Sequence, residues 1–235
     1  MHRRVSILLP YALLASAASA SLGTTVATAA DVPVLANTTI LTGLENPWDI
    51  AFLPDGTMFF TEKCKGLSVR KADGKVSALL GMKGSKDYAE TADDLFCEGQ
   101  AGMQGVAVDP DFAKNRQIFV YSTSSMTAPG TNRVLRLKVS DDFSKVSDRT
   151  DIVADIPYKP KASDHPFGGP GAHNGGRLRF NPGDGFLYVT TGDTHNGEVP
   201  QSPTKIGGKV LRIDRDGKAA PDNKAPEGFD KRIYT

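Results

Sequence analysis

Past the first thirty residues, apolar positions fall in short runs that alternate with polar ones and break at Gly, Pro, Asn or Asp. The three-to-four spacing of an amphipathic helix is almost absent, so the pattern predicts an all-β chain. The runs also repeat. Residues 48–61 read WDIAFLPDGTMFFT. Residues 104–112 read QGVAVDPDF and lead to QIFVYS at 117–122. Residues 176–190 read GRLRFNPGDGFLYVT. Each copy is an alternating strand, a Pro-Asp-Gly-like turn and a strongly apolar strand. Proline presets φ at the start of such a turn and glycine supplies positive φ, which makes the combination a hairpin signal.

Each copy has a second half in which apolar and charged residues alternate: 66–74, 132–141 and 208–217. These read as outer strands with one wet face. Two inner apolar strands and two outer amphipathic ones make a four-stranded blade, the repeat of a β-propeller. Pro54, Pro110 and Pro182 lie 56 and 72 residues apart, more than the roughly 40–45 of a minimal blade. Insertions at 87–98 and 158–171 account for the excess, and long loops on a repeat scaffold are where binding residues gather. Propellers close with about four to eight blades. About three are present here, so the chain reads as truncated at its C-terminus, with Arg232, Ile233, Tyr234 and Thr235 opening another strand.

Residues 1–30 do not belong to this pattern. His2, Arg3 and Arg4 precede an apolar, small-residue run ending in Ala27-Thr28-Ala29, which reads as a secretory signal peptide with the mature chain beginning near Asp31. The run is too short, and too broken by Pro10 and serines, for a membrane span. The fold then occupies residues 31–235. Without the leader, 26 basic residues stand against 27 acidic ones. There is no basic stripe, so nucleic acid is not an expected partner, and a small neutral ligand fits better. Cys64 and Cys97 are the only cysteines. In an exported chain they read as one disulfide rather than a metal pair, because no further Cys or His sits at ligand spacing.

The richest segment for chemistry is GGPGAHNGGRL at 168–178. It puts His173 where a glycine-rich loop meets an innermost strand, at one end of the central channel. An imidazole there either accepts a proton from a substrate hydroxyl or bonds only to backbone. Asp193 ends the next strand of the same hairpin, where its carboxylate either orients that imidazole or caps the turn. Gln100, in the equivalent place on the second blade, either offers an amide to a ligand or satisfies its own loop. His165 and His195 sit in polar loops and receive no role. Asp214, Asp216 and Gly217 begin like a calcium loop, but the later ligand spacing is missing, so they read as a hairpin turn. No phosphate loop, nucleophile elbow or His-Glu-x-x-His zinc motif is present.

Taken together and in order, residues 46–56, 105–112, His173 with 176–178, residues 191–193, 208–214 and 232–235 resemble the soluble quinoprotein glucose and aldose-sugar dehydrogenases. The resemblance runs over roughly residues 40–235. It implies a six-bladed propeller, of which this chain is the N-terminal half, binding pyrroloquinoline quinone (PQQ) and calcium. It further implies a periplasmic enzyme that oxidises an aldose at its anomeric hydroxyl to a lactone and passes electrons to an external acceptor such as a cytochrome or quinone. In that reading His173 is similar to the family base, Asp193 to its orienting carboxylate and Gln100 to a pocket glutamine that meets substrate or cofactor. Glucose-specific members place an aspartate before the base, where this chain has Ala172. The family's calcium ligands and cationic quinone-binding residues belong to later blades, so this chain alone is expected to be inactive. A metal-dependent propeller lactonase and a non-catalytic propeller scaffold are the competing expectations.

Overall fold

The computed structural model describes residues 35–163 and 167–235. The expected signal peptide and His165 lie outside those residues. Residues 41–235 form one compact unit, built of three sheets, antiparallel except for the β4–β5 pair, that succeed one another along the chain. The first contains β1 (Pro47–Phe52), β2 (Met58–Glu62), β3 (Gly66–Arg70), β4 (Val76–Met82) and β5 (Glu90–Ala92). The second contains β6 (Met103–Val108), β7 (Gln117–Ser124), β8 (Thr131–Val139) and β9 (Val146–Pro157). The third contains β10 (Gly175–Phe180), β11 (Leu187–Thr191) and β12 (Val210–Ile213). The strand order is sequential in all three, which is how propeller blades are wound.

The turns follow from their residues. At the first, Gly56 takes φ 86° and the Asp55 carboxylate accepts the Thr57 N–H at 2.8 Å. At the second, Pro110 and Asp111 lead into a one-turn helix, α1 (Phe112–Asn115), instead of a tight hairpin. Arg116 closes that helix in the left-handed region at φ 59° and stacks on Phe112 and Phe143 at 4.5 and 4.3 Å.

Blade stacking explains why β7 is buried along almost its whole length. Successive side chains on a strand point to opposite faces. On β7, Ile118 and Val120 join a core with Phe59, Leu67, Val69 and Leu79 of the first blade. Phe119 and Tyr121 join a second core with Leu178, Leu187, Val189 and Leu211 of the third. Both faces of β7 therefore lose water, as neighbour stacking in a repeat protein requires.

One sequence expectation is corrected here. The outer strands do not each keep a wet face: Leu67, Ser68 and Val69 on β3 are buried, and Arg133 on β8 is buried against Asp151 at 2.8 Å. The alternation of charge with apolar residues is satisfied by ion pairing within a sheet, as at Arg133, and between blades, as between Arg136 and Asp216, as well as by solvent. Residues 232–235, read as opening another strand, lie beside β12. They pair with β12, through Arg212 N–H to the Arg232 carbonyl at 2.9 Å and Tyr234 N–H to the Val210 carbonyl at 2.8 Å. They thus take the fourth, outer place in the third blade. The acidic insertion at 87–98 supplies β5, which pairs parallel to β4.

Cys64 and Cys97 are joined, with Cα atoms 5.1 Å apart and a separation of 33 positions in sequence. The bond ties the β2–β3 turn to the segment leading into β6. Replacing both cysteines by serine is expected to cost about 3–4 kcal/mol, mainly by freeing the unfolded chain. Urea unfolding of the double variant beside the wild type measures this, and an unchanged midpoint would contradict it.

Candidate active site

The three innermost strands, β1, β6 and β10, are bound together by one carboxylate. Asp49 is buried and receives Arg177 Nη1 at 2.6 Å and both terminal nitrogens of Arg179 at 2.8 and 2.9 Å. It also accepts the Val106 N–H at 3.1 Å. Burial works to raise its pKa, but the Arg179 and Val106 hydrogen bonds and the two guanidinium charges outweigh it, so the carboxyl is held below its ordinary 3.8. A depressed carboxylate stabilises the fold fully above the unfolded value, and that contribution fades as pH falls through the folded one. Asp49→Asn is therefore expected to be less stable than wild type at pH 7, with the gap closing below about pH 4. Urea midpoints at pH 7 and pH 3 test this; a gap that stays constant would contradict it. Arg177 also lies over the Trp48 ring at 4.2 Å, at the channel end that carries the candidate site.

The loop before β10 is set by close backbone approach. Gly175 pairs with Thr191 across the β10–β11 hairpin, and the register shifts between Gly175 and Leu178. A side chain on Gly192 would collide with the His173 carbonyl, so only glycine lets the two segments close. His173 itself sits in the left-handed region at φ 50°, which is uncommon outside glycine. Its N–H donates to Gln100 Oε1 at 3.0 Å.

The hairpin then brings His173 and Asp193 together, with Nδ1 and Oδ1 2.8 Å apart. A carboxylate only accepts, so Nδ1 carries the hydrogen, and in the neutral ring this tautomer leaves the lone pair on Nε2. The side chains are 51% and 29% exposed, so the pair lies open at the surface of the channel end. Two hollows flank the imidazole. One of about 390 Å³ is lined by Trp48, Lys63, Gln100, Gln104, His173, Asn174 and Gly175. The other, about 370 Å³, is lined by His173, Gly175, Thr191, Gly192, Asp193, Pro200 and Gly208. Gln100 reaches the site, but its side-chain amide oxygen is taken by the backbone N–H of His173.

Beneath His173 runs a buried chain of amides that sequence reading did not single out. Asn174 Nδ2 donates to Gln104 Oε1 at 2.6 Å, and Asn174 Oδ1 accepts from Asn132 Nδ2 at 2.9 Å. Asn132 Oδ1 accepts from Thr123 at 2.7 Å, while the Tyr121 hydroxyl donates to the Asn174 carbonyl at 2.8 Å. Gln104 Nε2 closes the chain on the Gln100 carbonyl at 3.3 Å. Residue 174 of the third blade is thereby fixed to three strands of the second. Every link is satisfied, which is the condition under which a buried polar network holds one geometry. On the other side of the dyad Lys209 is buried and donates to the carbonyls of Val199, Lys205 and Gly207 at 3.0, 2.8 and 3.2 Å. Burial pushes its ammonium pKa down, and the three carbonyls anchor the loop that follows Asp193.

Among the described residues, no group of three or more His, Cys, Asp or Glu is arranged to hold a metal ion. None of them is therefore assigned to calcium. The residues that are present fit the proton-handling part of a quinoprotein site: one imidazole with a free Nε2, a carboxylate behind it and a flanking hollow with an aromatic wall.

The family model for Glucose / Sorbosone dehydrogenase matches residues 44–235. The chain belongs to that family. It is 30% identical over 225 residues to the aldose sugar dehydrogenase YliI of Escherichia coli, covering 95% of this chain and 53% of that protein. It is 26% identical to quinoprotein glucose dehydrogenase B of Acinetobacter calcoaceticus, covering 83% and 42%. Among solved structures, the PQQ-bound aldose sugar dehydrogenase of Streptomyces coelicolor superposes with a TM-score of 0.65 at 26% identity, over 83% of this chain and 52% of that one. The soluble aldose sugar dehydrogenase of E. coli in its apo form gives 0.63 at 27% identity, over 81% and 50%. The chain thus spans about half the length of the curated relatives it matches. As a member of this family it has the all-β propeller architecture, with no described helix long and apolar enough to cross a membrane.

Proposed function

We propose that the protein oxidises the anomeric hydroxyl of an aldose to a lactone, with PQQ as the electron acceptor and His173 as the base. The observation that carries this reading is the 2.8 Å contact between His173 Nδ1 and Asp193 Oδ1 beside an open hollow, in a chain whose family is that of sugar dehydrogenases. The activity is proposed for the whole protein, since this chain covers about half of its relatives' length.

PQQ, when bound, supplies a two-electron acceptor for hydride. The chain's own residues handle the proton. His173 Nε2 takes it from the anomeric hydroxyl, and Asp193 stabilises the imidazolium that results. Loss of that proton and of hydride from C1 leaves a C=O bond, so the cyclic hemiacetal becomes a lactone. Gln100 and the buried amides hold the His173 backbone while this happens, and Trp48 forms an apolar wall of the hollow. Calcium belongs to the proposal as an electrophilic partner held by residues outside this set. Export to the periplasm and an external electron acceptor complete the reading. Ala172 is buried and carries no carboxylate, which favours acceptance of several aldoses over strict glucose selectivity.

Purified full-length protein, supplied with PQQ and calcium, is expected to reduce a dye acceptor with several aldoses and to lose that activity on chelation. Residues 1–235 expressed alone are expected to give no turnover. Lactone hydrolysis in the absence of any dye reduction would overturn the proposal.

A further inference from the structure

We propose that His195 is a positioning residue for the His173 base, acting through its ring and through the carboxylate that both residues share. This rests on His173 being the base. The two imidazoles are in contact, with ring centroids 4.4 Å apart and planes inclined by 47°. The His195 backbone N–H donates to Asp193 Oδ1 at 2.8 Å, the same oxygen that meets His173 Nδ1 at 2.8 Å. One carboxylate oxygen therefore collects both the ring that moves the proton and the backbone of the residue packed on that ring.

The turn that delivers His195 is conformationally demanding. Thr194 and His195 are consecutive non-glycine residues at φ 57° and 59°, a region L side chains adopt rarely, so their surroundings must hold them there. The Thr194 hydroxyl donates to the Asp193 carbonyl at 2.6 Å, and the Asn196 N–H donates to it at 3.0 Å. On the other flank, a Cβ added to Gly168 would lie 2.6 Å from His195 Nδ1. The bare backbone of Gly168 thus makes room for the ring. Phe167 approaches its edge with centroids 6.4 Å apart. His195 is held between the glycine-rich loop and the base.

This solves a mechanical problem. His173 is half exposed, and its hydrogen bond to Asp193 fixes only one edge of the ring. A second ring against it blocks rotation about the Cβ–Cγ bond and keeps Nε2 aimed at the hollow. Misaim of a catalytic group slows the chemical step more than it weakens substrate binding.

The test uses full-length protein carrying His195→Ala or His195→Phe. His195→Ala is expected to lower kcat about tenfold with KM within about twofold. The same change is expected to broaden the His173 Nδ1–H resonance in nitrogen-edited NMR, a signal that a merely structural loop residue would not move. His195→Phe, which restores a ring without an imidazole, is expected to bring kcat back to within about threefold of wild type and to sharpen the resonance again. Wild-type kcat and an unchanged resonance in His195→Ala would overturn the proposal. So would a His195→Phe variant as impaired as the alanine one. The NMR comparison needs no turnover. If wild-type protein oxidises no sugar yet the resonance responds as described, the sugar-oxidation reading falls and the positioning role stands.

Discussion

His173→Ala is expected to lower kcat/KM for aldose oxidation about a thousandfold, the middle of the range for removing a general base. The loss should fall on kcat, since Nε2 acts on the hydroxyl proton only as the reaction proceeds. The fold should not suffer. The side chain is 51% exposed, and the contacts that fix this stretch of chain belong to the His173 backbone, which keeps its hydrogen bond to Gln100. Steady-state dye reduction alongside a thermal unfolding curve separates the two effects. A variant within a few-fold of wild type would remove His173 from the mechanism.

The second large effect is expected at Asp193, where two substitutions divide its roles. Asn retains an oxygen that accepts from His173 Nδ1 and from the His195 N–H, but it has no charge to stabilise the imidazolium. Ala removes both. The expected order is wild type above Asp193→Asn by about tenfold, and Asp193→Asn above Asp193→Ala by about another tenfold. The loss for alanine stays below that for removing the base itself, because a half-exposed imidazole is also stabilised by water. Equal activity of the two variants would mean that the charge contributes nothing. Activity of Asp193→Ala matching wild type would mean that the contact at 2.8 Å is not used in catalysis.

The blade architecture was legible because propeller strands announce themselves locally. Alternation and Pro-Asp-Gly turns depend on residues adjacent in sequence, so β1, β2, β6, β7, β10 and β11 could be read from short windows. The hairpin logic also placed residues 173 and 193 at one level, and Gly175 does pair with Thr191. What depends on neighbours distant in sequence was not legible. The wet face expected of the outer strands failed because a stacked blade covers it, and Arg133 meets its partner Asp151 only across the sheet. Residues 232–235 look like any apolar strand opening, and only their hydrogen bonds to β12 place them in the third blade. Asn132, Gln104 and Asn174 are ordinary polar residues in sequence, and nothing but their convergence from two blades marks them. His195 was passed over for the same reason. Its proximity to His173 comes from two left-handed residues at 194 and 195, a backbone choice that neither Thr nor His advertises.

Turnover of an aldose labelled with ¹³C at C1 addresses the central claim most directly. Full-length protein with PQQ, calcium and a two-electron dye should convert the labelled anomeric carbon to a lactone or its hydrolysis product, with one dye molecule reduced per sugar. The His173→Ala protein should do so about a thousandfold more slowly. Unoxidised C1 in the wild-type reaction, or sugar conversion without matching dye reduction, would contradict the account.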